Sequence, residues 1–320
     1  MTPSKSSLDR LVKVLSGDWE ERREEFESHL REAIEVAPEA VTMAVSLDGV
    51  MTPMKDGERG EKREQAREQG KQTKGPAGYQ EVGCATLSFF DVEGERLGTT
   101  RLARMPETKK ATLKTTLSAD IEAVLVKRPE LRLVKLADGA KDNWTYLSEE
   151  LPEGEELIDF FHAAENLHAA FDNAYGQGSA KAHSQFEKYR HILRHDDDGV
   201  EKVIRGLKYL HSKHPRRTRL KQALGYFRRN RHRMGYIQAK SQNLPIGSGV
   251  VEAACKTLVT QRMKCSGMRW RHAGGQAILT LRAHIQSNRF EQAWELLSDT
   301  YRVPVSMPEN VVPFAPKRAA

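Results

Sequence analysis

VTMAVSLDGVM, residues 41–51, is an apolar run, rich in valine and methionine, that ends on a carboxylate and a glycine. Its length and composition predict a buried strand stopping at Asp48-Gly49. The pattern returns in ELRLVKLADGAKDNW, residues 130–144, a second buried strand that ends at Asp138-Gly139. Between them, residues 79–106 read as two strands joined by a hairpin at VEGE, residues 92–95. Residues 109–128, KKATLKTTLSADIEAVLVKR, read as an amphipathic helix. A helix to about Leu151 and a short strand in EELIDFF, residues 155–161, follow the second Asp-Gly. The order of strand, hairpin pair, helix, strand, helix, strand predicts an α/β fold with a mixed five-stranded sheet flanked by helices.

The flanks read differently. Residues 8–37 are expected as one helix ended by Pro38, and residues 55–78 as a charged, solvated excursion with almost no apolar side chain. From His162 to Asn243 the pattern is helical, with turns at DDDG (196–199) and KHP (213–215). LPIGSG closes that stretch, a helix carrying Glu252 opens, and another helix is expected over 273–298. The tail from Val303 holds four of the thirteen prolines and is expected to be extended. The chain thus divides into an N-terminal helical segment (1–40), a first part of the α/β core (41–165), an all-helical insertion (166–243), a last part of the core (244–300) and a tail (301–320).

Composition narrows the class of protein. The 320 residues are 38% hydrophobic and 30% charged, with a net charge of +7. That suits a globular chain with a polyanionic partner. Three cysteines without a C-x-x-C pair argue against a disulfide framework or a zinc finger. No apolar run is long enough for a membrane span and no signal peptide is evident, so a cytoplasmic location is expected.

Three acids stand out by position: Asp48 and Asp138 at strand ends, and Glu252 in the first turn of a late helix. Catalytic groups gather where the strands of an α/β sheet end. Clustered carboxylates call for cations, and hard ions such as Mg²⁺ or Mn²⁺ suit oxygen ligands. Taken singly, each acid has a plain structural reading, as a turn former or as a complement to a helix dipole.

SLDGVM, LADGAKDNW and PIGSGVVEAACKTLVTQRMKCSGMRW together resemble the DDE transposases of bacterial insertion sequences, the Kra-type group in particular, and GPAGYQEVGCATLSFFD is similar to the same group. The likeness covers roughly residues 40–295. It implies an RNase H-like core with Asp48, Asp138 and Glu252 as the catalytic, metal-binding triad, and a helical insertion before the last catalytic helix. Two Mg²⁺ or Mn²⁺ ions, hydrolysis at element ends and strand transfer into target DNA are implied with it. So are a homodimer or higher multimer on DNA and a nucleoid-associated location.

Cation-rich stretches supply the expected DNA surface. Arg262, Lys264, Arg269 and Arg271 flank Trp270, which could stack on an unpaired base. Arg228, Arg229, Arg231 and Arg233 could track a phosphate backbone. His162 and Glu165 share a helix face, which makes His162 a candidate auxiliary residue. The roughly 40 residues before the first strand show no cysteine cluster or helix-turn-helix, so end recognition falls to the insertion and the N-terminal helices, or the chain is a fragment. Two other readings stay open: a catalytically silent or domesticated DNA-binding protein that keeps the fold, and a metal-independent hydrolase using two carboxylates.

Overall fold

The structure, a computed structural model, describes residues 5–55, 65–71 and 78–302. Most of the charged excursion at 55–78 and the tail from Val303 fall outside the described residues. Five strands form a single sheet: β1 (Thr42–Pro53), β2 (Tyr79–Phe90), β3 (Arg96–Arg104), β4 (Arg132–Ala137) and β5 (Glu155–Ile158). Their order across the sheet is β3-β2-β1-β4-β5. β1, β2 and β3 are antiparallel neighbours, whereas β4 runs parallel to β1 and β5 parallel to β4. This is an α/β fold with a mixed sheet in an RNase H-like arrangement, as the sequence predicts. A parallel neighbour needs a long crossover, and here the β2–β3 hairpin and helix α3 (Ala111–Lys127, after α1 and α2 below) supply it.

Strand alternation sends β1 residues to opposite faces. Met43, Val45 and Leu47 join Ala85 and Leu87 of β2 against Leu113, Leu117, Ile121 and Val124 of α3. Those four α3 residues sit at helical spacing on one stripe, and each contributes about 2 kcal/mol through burial. The opposite face carries two smaller clusters. Ala44, Val134 and Leu136 pack with Ala239 and Leu244. Val82, Cys84 and Ala103 pack with Val251, Leu258, Met263 and Leu279.

Three expectations about element bounds are corrected. β1 does not stop at Asp48, because its antiparallel ladder with β2 continues to Pro53↔Tyr79. Only the parallel partner gives out there, its last pair being Ser46↔Leu136. The helix expected over 8–37 is two, α1 (Lys5–Glu21) and α2 (Arg23–Glu32), broken at Arg22, whose guanidinium pairs with Glu25. The break brings the Trp19 and Phe26 rings within 4.9 Å, so that both pack with Ala293 and Leu297. The helix expected over 273–298 is also two, separated at Asn288, which has a left-handed backbone (φ +55°).

After β4 comes α4 (Lys141–Glu149). Five helices separate β5 from the Glu252 helix: α5 (Phe160–Tyr175), α6 (Ala180–His195), α7 (Gly199–Lys213), α8 (Thr218–Asn230) and α9 (Tyr236–Ser241). Glu252 lies on α10 (Gly249–Ala254), which passes through a π-helical turn (Cys255–Thr260) into the single turn α11 (Gln261–Met263). α12 (His272–Gln286) and α13 (Phe290–Asp299) end the described chain. Among the described residues no helix is long and apolar enough to cross a membrane. All three cysteines are free.

Candidate active site

The parallel register places the first two acids. Ser46 pairs with Leu136, an offset of 90 residues (136 − 46), and the same offset separates Asp48 from Asp138 (138 − 48). The ladder ends at Ser46↔Leu136, so each aspartate lies two residues past the last pair. Asp48, within β1, falls on the face of Ala44 by alternation. Asn143 of α4 bridges the two strands, its Nδ2 donating to Asp138 Oδ1 at 3.3 Å and to the Leu47 carbonyl at 3.5 Å. Asp138 Oδ1 also accepts from the Ala140 N–H at 3.0 Å. Asp48 Oδ1 accepts from the Gly49 N–H at 2.7 Å.

The third acid arrives from the other end of the chain. The segment before α10 is clipped to the β5–α5 junction: Phe160 N–H donates to the Ile246 carbonyl at 2.9 Å, and Ser248 N–H donates to Asp159 Oδ2. Asp159, wholly buried, also caps α5 by accepting from the His162 N–H at 2.8 Å. Ser248 Oγ donates to Glu252 Oε1 at 3.3 Å. One turn beyond Glu252, the Cys255 thiol lies 3.6 Å from Asp48 Oδ2. Glu252 and Cys255 are i, i+3 neighbours on one helix face, so this contact carries the Glu252 face onto the strand that holds Asp48. A hydrogen bond to Cys84, burial and the Asp48 charge push the Cys255 thiol up, leaving it protonated and inert.

His162 closes the group on its solvent side. Its Nε2 is 3.9 Å from Glu252 Oε1 and its Nδ1 is 3.3 Å from Glu165 Oε2. Burial works against the imidazolium, but the charges of Asp159, Glu165, Asp138 and Glu252 outweigh it and raise the pKa above its usual value. Glu252 thus faces the His162 imidazole, and Asp48 meets the Glu252 helix through Cys255. The contacts run from Asp138 through Asn143 to Leu47, the residue before Asp48, and from Asp48 through Cys255 to the Glu252 helix.

The donor chemistry fits the hard divalent ions that the resemblance implies. Asp138 and Glu252 each keep an oxygen without a hydrogen-bond partner among the described residues, and Asp48 Oδ2 meets only a thiol. Among the described residues no three or more His, Cys, Asp or Glu side chains already converge into a ligand set for a metal ion. Asp138 is partly exposed and Glu252 exposed.

The cationic candidates divide into exposed and engaged groups. Lys264, Arg269, Arg271, Arg228, Arg229 and Arg231 are exposed. Arg262 is part-buried, its guanidinium 5.2 Å from the centre of the Trp270 ring. Trp270 donates its indole N–H to the Met263 carbonyl at 3.0 Å, and its backbone bonds to Pro53 and Lys55, which extends the β1 end. Its indole N–H and one ring face are therefore occupied within the chain. Arg233 does not track a backbone with its neighbours: it folds inward to Glu156 at 2.6 Å and lies 4.1 Å from the centre of the Trp144 ring.

Asp159, Ser248, Cys255 and Tyr226 help to build this site, and the sequence reading assigned none of them a role in it. Asp159 had a usable signal, an acid immediately before a helical run, where N-caps concentrate. No protein-family model matches this chain, and no curated protein matches it in sequence.

Proposed function

We propose that the chain is a DDE-type transposase, a metal-dependent enzyme that cuts and joins DNA. The observations that support this reading are the parallel β1–β4 ladder, which ends two residues short of both Asp48 and Asp138, the Asn143 amide that bonds to Asp138 and to the Leu47 carbonyl, and the 3.6 Å contact of Cys255, on the Glu252 helix, with Asp48. Asp48, Asp138 and Glu252 would hold two Mg²⁺ or Mn²⁺ ions. That pair would supply the charge that activates a water or a 3′-hydroxyl and stabilises the leaving oxygen of a phosphodiester. Ser248 fixes the Glu252 carboxylate through its hydroxyl, and Asp159 anchors the segment that presents both. His162, facing Glu252, neutralises part of the acid cluster and offers a donor at its rim. Lys264, Arg269 and Arg271, with Arg228, Arg229 and Arg231, would grip phosphates of element ends and target. On this reading the chain works as a homodimer or larger multimer on nucleoid DNA in the cytoplasm.

The open ligand set favours one competing reading, a silent DNA-binding protein that keeps the fold. A supercoiled plasmid carrying the DNA that flanks the coding sequence separates the two. With Mg²⁺, the native chain should nick and join it, a chelator should stop the reaction, and Glu252→Gln should lower the rate at least about a hundredfold while still binding DNA. DNA binding by the native chain without Mg²⁺-dependent nicking would establish the silent reading.

A further inference from the structure

We propose that Tyr226 is a positioning residue for Asp138, the side chain through which α8 holds the acid cluster in place. The inference rests on the reading of Asp48, Asp138 and Glu252 as the metal-holding set. Tyr226 is buried on α8, 8% exposed, and its ring lies directly over Gly139. A methyl group built on Gly139 would collide with Cε2 of that ring. Gly139 is not among the residues with a positive φ, so the ring, and not an unusual backbone angle, excludes a side chain there. The glycine that follows Asp48 differs: at Gly49 the same methyl would meet only the half-exposed Glu81 side chain, whose carboxylate pairs with Lys110 at 3.1 Å.

Asp138 is also held from its other side. Trp144 donates its indole N–H to the Asp138 carbonyl, and Ala140 and Asn143 hold Oδ1. The Asp138-Gly139 turn is thus fixed between an α4 tryptophan and an α8 tyrosine. The Tyr226 hydroxyl is buried without a hydrogen-bond partner. Two and three residues further along, Arg228 and Arg229 are exposed. One helix therefore carries an inner contact on the acid site and outer cations in solvent.

Mn²⁺ binding to the full chain, followed by the electron-spin signal of the free ion, tests this beside thermal melting and DNA binding. Gly139→Ala should weaken Mn²⁺ binding about tenfold or more, the range seen when residues that orient metal ligands are lost. DNA affinity should stay near native. Tyr226→Leu, which removes the ring over Gly139, should weaken Mn²⁺ binding by a similar factor, whereas Tyr226→Phe, which keeps the ring, should bind as the native chain does. Native-like Mn²⁺ binding by Gly139→Ala or by Tyr226→Leu, or a loss in Tyr226→Phe as large as in Tyr226→Leu, overturns the role of the Tyr226 ring. A native chain that binds no Mn²⁺, or Asp138→Asn binding it as tightly as the native chain, overturns the metal reading and this inference with it.

Discussion

Asp159 has no solvent exposure, and its two oxygens serve two backbone N–H groups from distant parts of the chain. A buried carboxylate is costly unless fully hydrogen-bonded, so this one marks a junction that the fold cannot leave loose. Replacing it with alanine would strand the Ser248 and His162 amides. Asp159→Ala should therefore lose about 3 kcal/mol or more of stability, with faster amide exchange at Ser248 in particular. Asp159→Asn, which keeps one acceptor oxygen, should lose about half as much. Denaturant melts within about 0.5 kcal/mol of native for the alanine variant would show that Asp159 does not hold the segment. At this scale the sequence was partly legible. Residue type and the shared Asp-Gly context singled out Asp48 and Asp138. What could not be read was that Gly139 meets a ring from α8 whereas Gly49 meets the Glu81 side chain, because neither neighbour is local in the chain.

The elements were legible wherever a local period sets them. The α3 stripe follows from 3.6-residue spacing, the VEGE hairpin from its turn residues, and the buried strands from short apolar runs with clear ends. The end of β1 was not, because strand length there depends on how far β2 follows, a long-range pairing. The break at Asn288 carried a readable signal, since asparagine tolerates the left-handed turn that ends helices. The π turn after Glu252 carried none; its residues, CKTLVT, are ordinary helix formers and strand formers mixed. A different element contact has a pH signature. His284 of α12 packs edge-on against Trp19 of α1, with ring centres 4.5 Å apart. Burial, helped by Arg289, lowers its pKa from the usual 6.5 to about 4. The unfolded chain takes up a proton below 6.5 and the native chain only near 4, so stability falls as pH drops between those values. The loss attributable to His284 is at most about 3 kcal/mol. Melting monitored by tryptophan fluorescence should show a Tm gap between native protein and His284→Gln that shifts in favour of the variant from pH 6.5 to 4. A gap that stays constant over that window would mean that the imidazole does not resist protonation in the fold.

Charge organises the molecule as a whole. Residues 213–233 and 262–271 carry thirteen Lys and Arg and no carboxylate, against a net charge of +7 for the whole chain, so the remainder is net acidic. A polyanion is steered to the basic surfaces and away from the rest. The structure refines which cations are available: Arg233 is spent on Glu156 and Trp144, whereas Arg228, Arg229 and Arg231 stand in solvent. Each phosphate contact removed should lower the slope of log K against log salt by about 0.9. Replacing Arg228, Arg229 and Arg231 together with glutamine should then flatten that slope by up to about three, weaken binding to all duplex sequences alike, and leave the melting temperature near native. Arg233→Gln should do the reverse, lowering Tm through loss of its ion pair and ring contact while the salt slope stays put. Fluorescence anisotropy of a labelled duplex across a salt series reads both slopes. An unchanged slope in the triple variant would remove α8 and the turn after it from the DNA surface, leaving Lys264, Arg269 and Arg271 to carry it.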